Sequence, residues 1–180
     1  MKEDRKVNLR WEWRESRRVR GQDELRAGDQ ILATLCWQGA FSTLAFGTSP
    51  AGQWTFERPR VLSQDVEVCS AGADVVIAIF KPHWAGGGGR LELADGRTFQ
   101  WTATNFWQTD WVFSDASGES LVRFEDNSRL FETTALVEVE CAALPASERA
   151  LLTLLGRYLM VLQERDAAAM VAAFTPAIVG

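Results

Sequence analysis

The sequence predicts a mainly β fold: a closed antiparallel barrel of about twelve strands wrapped around a hydrophobic C-terminal helix. Three observations carry this expectation. From Val7 to Val139, short runs of apolar and aromatic residues alternate with polar ones, separated by turn residues at roughly 8–12-residue spacing. No strand–helix–strand alternation appears, which argues against a Rossmann-like or other parallel sheet. The stretch Glu148 to Arg165 is helical in pattern but apolar over most of its circumference, so it has to be surrounded and cannot lie on a surface.

Taken in order, Val7, Leu9, Trp11 and Trp13 alternate with polar residues as in a half-buried strand. Gly28-Asp29 is a turn, and Ile31 to Trp37 is a β-branched and apolar run. Gly39 punctuates it, and Phe41 to Phe46 reads as the next strand. Ser49-Pro50-Ala51-Gly52 is a turn before the alternating Trp54 and Phe56. Val61 to Val68 and Val75 to Phe80 are strands on either side of Ser70-Ala71-Gly72-Ala73-Asp74, with Pro82 ending the second. Leu91-Glu92-Leu93 and Thr98-Phe99-Gln100-Trp101 flank Asp95-Gly96, a strong hairpin signal because both residues tolerate positive φ. Trp111-Val112-Phe113, the turn Asp115-Ala116-Ser117-Gly118 and Leu121 to Phe124 form a second hairpin, and Leu130 to Val139 closes the β region.

After Leu144-Pro145 the character changes. Ser147 can cap a helix, with Glu148 in its first turn where the dipole favours an acid. Arg149, Thr153, Arg157 and Glu164 share one narrow polar stripe; leucines, Tyr158 and Val161 cover the rest. Eighteen residues at ~1.5 Å each span about 27 Å, enough to thread a small barrel. Asp166 is positioned to cap a short second helix that stops before Pro176. The expected organisation is therefore one domain over 1–180: barrel strands in 7–140, a central helix over 147–165 and a terminal helix over 166–175.

Composition bounds function. The 180 residues are enough to bury roughly 70% of the unfolded surface in one core. There are 8 Trp and 10 Phe against one Tyr, and a single His. The stretch Met1 to Arg26 carries a net charge of +3 and the remainder −8, so the body is acidic. That argues against a nucleic-acid surface, which needs clustered Lys and Arg. Arg14, Arg17, Arg18 and Arg20 form the one basic arm, a candidate membrane or anion contact. No apolar segment follows Met1 to Lys6, and Cys36, Cys69 and Cys141 show no C-x-x-C spacing, so a cytoplasmic protein with reduced thiols is expected. The longest apolar run, Leu151 to Leu162, is shorter than the ~20 residues of a membrane span.

The run Gly89 to Trp101, its continuation Asn105-Phe106-Trp107 and Trp111 to Gly118, and the ending Leu151 to Leu159 resemble the tubby-like superfamily. That group takes in tubby C-terminal domains, phospholipid scramblases and LURP-one-related proteins, and the likeness is closest to its small bacterial members of unknown function. The resemblance implies a twelve-stranded barrel around a hydrophobic helix. Tubby domains bind phosphoinositides and scramblases act at membranes with calcium. Neither the lipid-contacting residues nor the scramblases' Cys-rich stretch is matched here.

Candidate sites are few. Gly86 to Gly89 lacks the Gly-Lys-Ser/Thr and following helix of a phosphate loop and reads as a hairpin connection. His83, with no second His, supports neither a histidine metal cluster nor a catalytic triad. Asp110, Asp115, Glu119, Glu125 and Asp126 lack the regular oxygen spacing of a calcium loop. Trp101, Phe106, Trp107, Trp111 and Phe113, with Asn105 as a polar anchor, could line a ligand pocket or simply pack. Lys81 and Arg97 would make an anion site if they met at one barrel end. No metal, cofactor or catalytic constellation is expected. The expected function is a non-enzymatic tubby-like barrel binding a lipid, an anion or a protein. The alternatives are a lipocalin-like carrier, on Gly52-Gln53-Trp54 and Thr109-Asp110-Trp111, and a peripheral membrane protein using the basic arm.

Overall fold

The computed structural model describes residues 8–59, 63–73, 75–84, 86–126, 134–140 and 144–174. Predicted features at Met1 to Val7, Val61, Leu130, Cys141 and Pro176 lie outside them. Among the described residues the strands are β1 (Asn8–Glu15), β2 (Gln22–Ala27), β3 (Gln30–Trp37), β4 (Ala45–Ser49), β5 (Gly52–Glu57), β6 (Val66–Ser70), β7 (Val76–Pro82), β8 (Gly88–Leu93), β9 (Thr98–Ala103), β10 (Asp110–Ser114), β11 (Ser120–Asp126) and β12 (Thr134–Glu140). Each pairs antiparallel with its neighbour in sequence, and β1 pairs with β12. The predicted closed twelve-stranded barrel is the fold, and closure pairs both edges of every described strand.

Alternation sets the two faces. Trp13, Leu25, Leu35, Phe56, Val68, Leu91, Phe113, Phe124 and Val137 all point inward and are buried. Pairs such as Trp13 with Ala135 and Trp13 with Leu25 fix the register, because a slip of one residue would turn the apolar set outward.

Three elements differ from the sequence reading. The residue pattern does not single out β2: Gln22–Ala27 reads as polar, yet Asp23, Glu24 and Leu25 are all buried. The predicted strand Phe41 to Phe46 starts instead at Ala45. Residues before it form a loop closed by Gln38 N–H donating to Leu44 O at 3.0 Å and braced by the Ser42 hydroxyl accepting from Leu44 N–H at 3.1 Å. The two predicted terminal helices are one, α1 (Ala146–Phe174). Asp166 does not cap a second helix; its carboxylate takes two hydrogen bonds from Arg58, at 2.6 and 2.9 Å, while the helix runs on.

The chain meanders, so connections alternate between the two barrel ends. α1 enters beside the β8–β9 turn, where Arg97 binds Glu148 at 2.6 Å. It leaves among the connections that follow β3, β5 and β9: Tyr158 donates to Thr43 O at 2.7 Å, Arg58 holds Asp166, and Gln163 reaches Gln108 at 3.3 Å. The connections after β1, β3, β5, β7 and β9 therefore share this exit rim.

Inside the barrel every residue from Leu151 to Met160 is buried. Burying a Leu-sized side chain contributes roughly 1.5–3 kcal/mol, so this one element supplies much of the core. The fit is close at Gly156: a Cβ there would overlap the Phe124 ring. The middle of the helix's polar stripe, Thr153 and Arg157, is also enclosed. Thr153 Oγ1 donates back to Arg149 O at 2.8 Å, and Arg157, 2% exposed, pairs with Asp23 of β2 at 3.1 Å. Cys36 and Cys69 are free thiols, half-buried in or beside the wall.

Candidate functional site

The exit rim carries the most exposed aromatic side chains among the described residues. Phe41 is 103% exposed, Trp84 99%, Phe106 87% and Trp107 80%. Phe41 lies on the β3–β4 loop, Trp84 on the β7–β8 loop, Phe106 and Trp107 on the β9–β10 loop. Strand parity brings all four to one end. Single exposed apolar residues are ordinary, but four large aromatic rings on one rim are not.

These loops are built rather than loose. In the β9–β10 loop the Asn105 side chain accepts from Thr109 N–H at 3.0 Å and donates to Thr109 Oγ1 at 2.6 Å. Gln108 sits at φ 54°, an uncommon conformation for a residue with a Cβ, and its carbonyl accepts from the Trp111 indole at 2.9 Å. With both chain ends of the loop pinned, Phe106 and Trp107 stand outward, edge to face with centroids 5.4 Å apart. In the β7–β8 loop, His83 N–H donates to Gly88 O at 2.9 Å and Gly86 N–H to His83 O at 3.0 Å. Gly88 is required there: at φ 143° a Cβ would collide with the Trp101 carbonyl oxygen.

The cationic arm meets the same rim. Arg17, Arg18 and Arg20 lie on the connection after β1 and are exposed. Ser16 fastens it, donating through its hydroxyl to Glu24 at 2.6 Å and accepting from the backbone N–H of Arg18 and Val19, each at 3.3 Å. The Ser16 hydrogen bond, followed by the nearby Arg26 and Arg18 charges, holds the Glu24 carboxyl below its ordinary range against the effect of burial. Arg14, Arg17, Arg18 and Arg26 line an outer-wall cleft of about 430 Å³ together with Glu15, Glu24 and Asp29.

A collar surrounds the helix exit. Arg58 is held firmly protonated by Asp166, and Arg165 lies over the Trp37 ring, 3.9 Å from its centroid, while donating to Ser42 O at 3.2 Å. Trp37 in turn stacks on Tyr158 at 5.0 Å. Beside the collar is a cleft of about 180 Å³ bordered by Arg58, Phe80, His83, Trp101, Trp111 and Gln163, among others.

The structure brings some predicted residues together and separates others. The aromatic cluster divides: Trp101, Trp111 and Phe113 are inside, Trp101 and Trp111 stacked at 5.1 Å, while Phe106 and Trp107 are outside. Trp101 borders the cleft; Asn105 shapes its loop. Lys81 and Arg97 do not meet. Lys81 nears the exit end and pairs with Glu92 at 2.6 Å, whereas Arg97 sits at the entry end between Asp95 and Glu148. Asp115 is turn chemistry, accepting from the N–H groups of Ser117 and Glu119, each at 2.9 Å. Among the described residues no group of three or more His, Cys, Asp or Glu side chains could hold a metal, and no helix is long and apolar enough to cross a membrane. The interior that a lipocalin-like carrier would keep open is filled by α1.

Sequence reasoning missed Phe41 and Trp84 as site residues. The signal that could have found them is strand parity. Once a meander is accepted, every second connection falls on one rim, and Phe41, Trp84, Phe106 and Trp107 all lie on that set. Comparison with family models, curated proteins and solved structures finds no match for this chain.

Proposed function

We propose that the protein is a non-enzymatic binding barrel of tubby-like type that docks by its exit rim onto an anionic lipid surface. The observation that supports this is the convergence of Phe41, Trp84, Phe106 and Trp107 with Arg17, Arg18 and Arg20 at one barrel end. Tryptophan favours the membrane–water interface, where its ring meets both apolar and wet surroundings. Each Arg near an anionic surface adds roughly 1 kcal/mol at physiological salt. The chain after Arg26 is net acidic, and Asp126, Glu164 and Asp166 stand at the exit end itself, so the docking relies on the local basic arm and the aromatic loops and not on overall charge.

Flotation with vesicles of phosphatidylcholine alone, and of phosphatidylcholine mixed with phosphatidylserine, tests the reading. Binding is expected only with the anionic vesicles, weakening as salt rises. It should fall at least tenfold in Trp84→Ser/Trp107→Ser and in Arg17→Glu/Arg18→Glu. Absence of binding to anionic vesicles at low salt overturns it.

The cleft beside Arg58 favours a second reading, a small ligand at the barrel mouth. Its volume of about 180 Å³ compares with the ~150 Å³ engineered cavity that admits benzene, so it has room for about one ring.

A further inference from the structure

We infer that the last turns of α1, residues 167–174, enter the outer acyl region of the bilayer on which the rim docks, as a short apolar wedge held along the barrel axis. This rests on the lipid-docking reading above.

From Ala167 to Phe174 the helix reads Ala-Ala-Ala-Met-Val-Ala-Ala-Phe, without a charge or a side-chain hydrogen-bonding group. A helix end lying in water ordinarily carries a polar face. Here residues 167–173 are all exposed, Met170 by 58% and Val171 by 68%. At ~1.5 Å per residue the segment extends about 12 Å.

What lies below it fixes its direction. Asp166 is clamped twice by Arg58, and Arg165 is bound to Ser42 O and stacked on Trp37. Three separate connections therefore grip the helix at the rim: those after β3, β5 and, through Gln163 and Gln108, β9. The buried part of the same helix cannot tilt, because Gly156 is pressed against Phe124 and Tyr158 is bonded to Thr43.

The order of chemistry along the axis is apolar tip, aromatic loops, then charged collar and basic arm. This is the order met on leaving a bilayer: acyl chains, the interface favoured by aromatics, anionic headgroups. Penetration is shallow, to the ~5–10 Å of an interfacial helix. A second copy of the chain fits less well, since a contact through this rim would hold six arginines, Arg17, Arg18 and Arg20 of each copy, within one interface.

The test places an environment-sensitive fluorophore on Met170→Cys, in a background of Cys36→Ser, Cys69→Ser and Cys141→Ser. Vesicles of mixed phosphatidylcholine and phosphatidylserine are made with or without lipids bearing a shallow nitroxide on the acyl chain. The expected result is a blue shift and nitroxide quenching at position 170. A probe on Ala116→Cys, at the opposite barrel end, should give neither. Bound protein whose 170 probe stays water-exposed overturns the wedge but leaves rim docking intact. Failure of the unlabelled chain to float overturns the docking and the wedge together. A label-free arm uses Met170→Asp in the native cysteine background: at least fivefold weaker vesicle partitioning is expected with an unchanged melting temperature. Unchanged partitioning overturns the wedge. So does a solution dimer of the wild type that Met170→Asp dissociates, because the apolar tip then serves self-association.

Discussion

Arg157 donates its Nε–H to Asp23 at 3.1 Å within the barrel, linking residues 134 positions apart across the helix–wall boundary. Both groups are enclosed, Arg157 almost completely. A buried pair of this kind contributes little net stability beside an apolar replacement, but losing one partner strands the other. Asp23→Ala should therefore cost roughly 3–5 kcal/mol. Asp23→Leu/Arg157→Met should recover most of it. Chemical denaturation of the three proteins reads both, and equal destabilisation in the single and the double variant would contradict it.

Gly156→Ala tests the closeness of helix to wall. In an exposed helix the change is worth about 1 kcal/mol in favour of Ala. Here the added Cβ meets the Phe124 ring, and overpacking costs roughly 1–3 kcal/mol. A lower melting temperature is expected, with partial rescue by Phe124→Leu.

Leu155 is fully buried on α1. Leu155→Asp places a carboxylate among apolar side chains, a cost of several kcal/mol or more. Loss of the cooperative melt and of the near-ultraviolet circular dichroism of the packed tryptophans is expected. A native spectrum would mean that the helix does not form the core.

Glu24 supplies a pH signature. Its carboxyl is held below the ordinary 4.5, first by the Ser16 hydroxyl. A depressed acid stabilises the fold above the unfolded value, and that stabilisation is lost as pH falls through the folded value. Ser16→Ala should therefore lower stability by roughly 1.5–3 kcal/mol at pH 7. The gap between variant and wild type should narrow below about pH 4.5. A gap constant down to pH 3 would assign the loss to loop packing.

The rim aromatics should be nearly silent in stability. Phe41→Ser, Trp84→Ser and Trp107→Ser are each expected to shift unfolding by no more than about 0.5 kcal/mol, as for surface changes in general. A shift several times larger in any of them, measured by denaturant titration, would show that the ring packs in the protein after all.

Much of the barrel was legible because the wall obeys a period of two and the helix does not. Asp95-Gly96 marks its hairpin, and the leucines around Arg157 mark an enclosed helix. β2 escapes because Asp23 and Glu24 look solvent-bound until Arg157 and Ser16 are known to face them. The continuous helix reads as two because Asp166 resembles a cap, and nothing local reveals that Arg58 claims it. The site was less legible than the fold. Trp101 and Trp107 are the same residue type six positions apart, and only register and loop geometry send one inward and the other outward. Lys81 and Arg97 would form an anion site only if they shared a barrel end, and the meander puts them at opposite ends.

The core-forming helix is also the last of the thirteen elements among the described residues. During synthesis the twelve strands emerge with their inner faces uncovered, and no described element before Ala146 covers them. At roughly 5–20 residues per second, the ribosome needs a few seconds to deliver α1 after β12. For that interval the nascent wall is an open, aromatic-rich sheet, the state in which chaperone capture and aggregation compete with closure. Yield in the cell should therefore respond to the speed of translation across codons 141–174 more than across any earlier stretch of equal length.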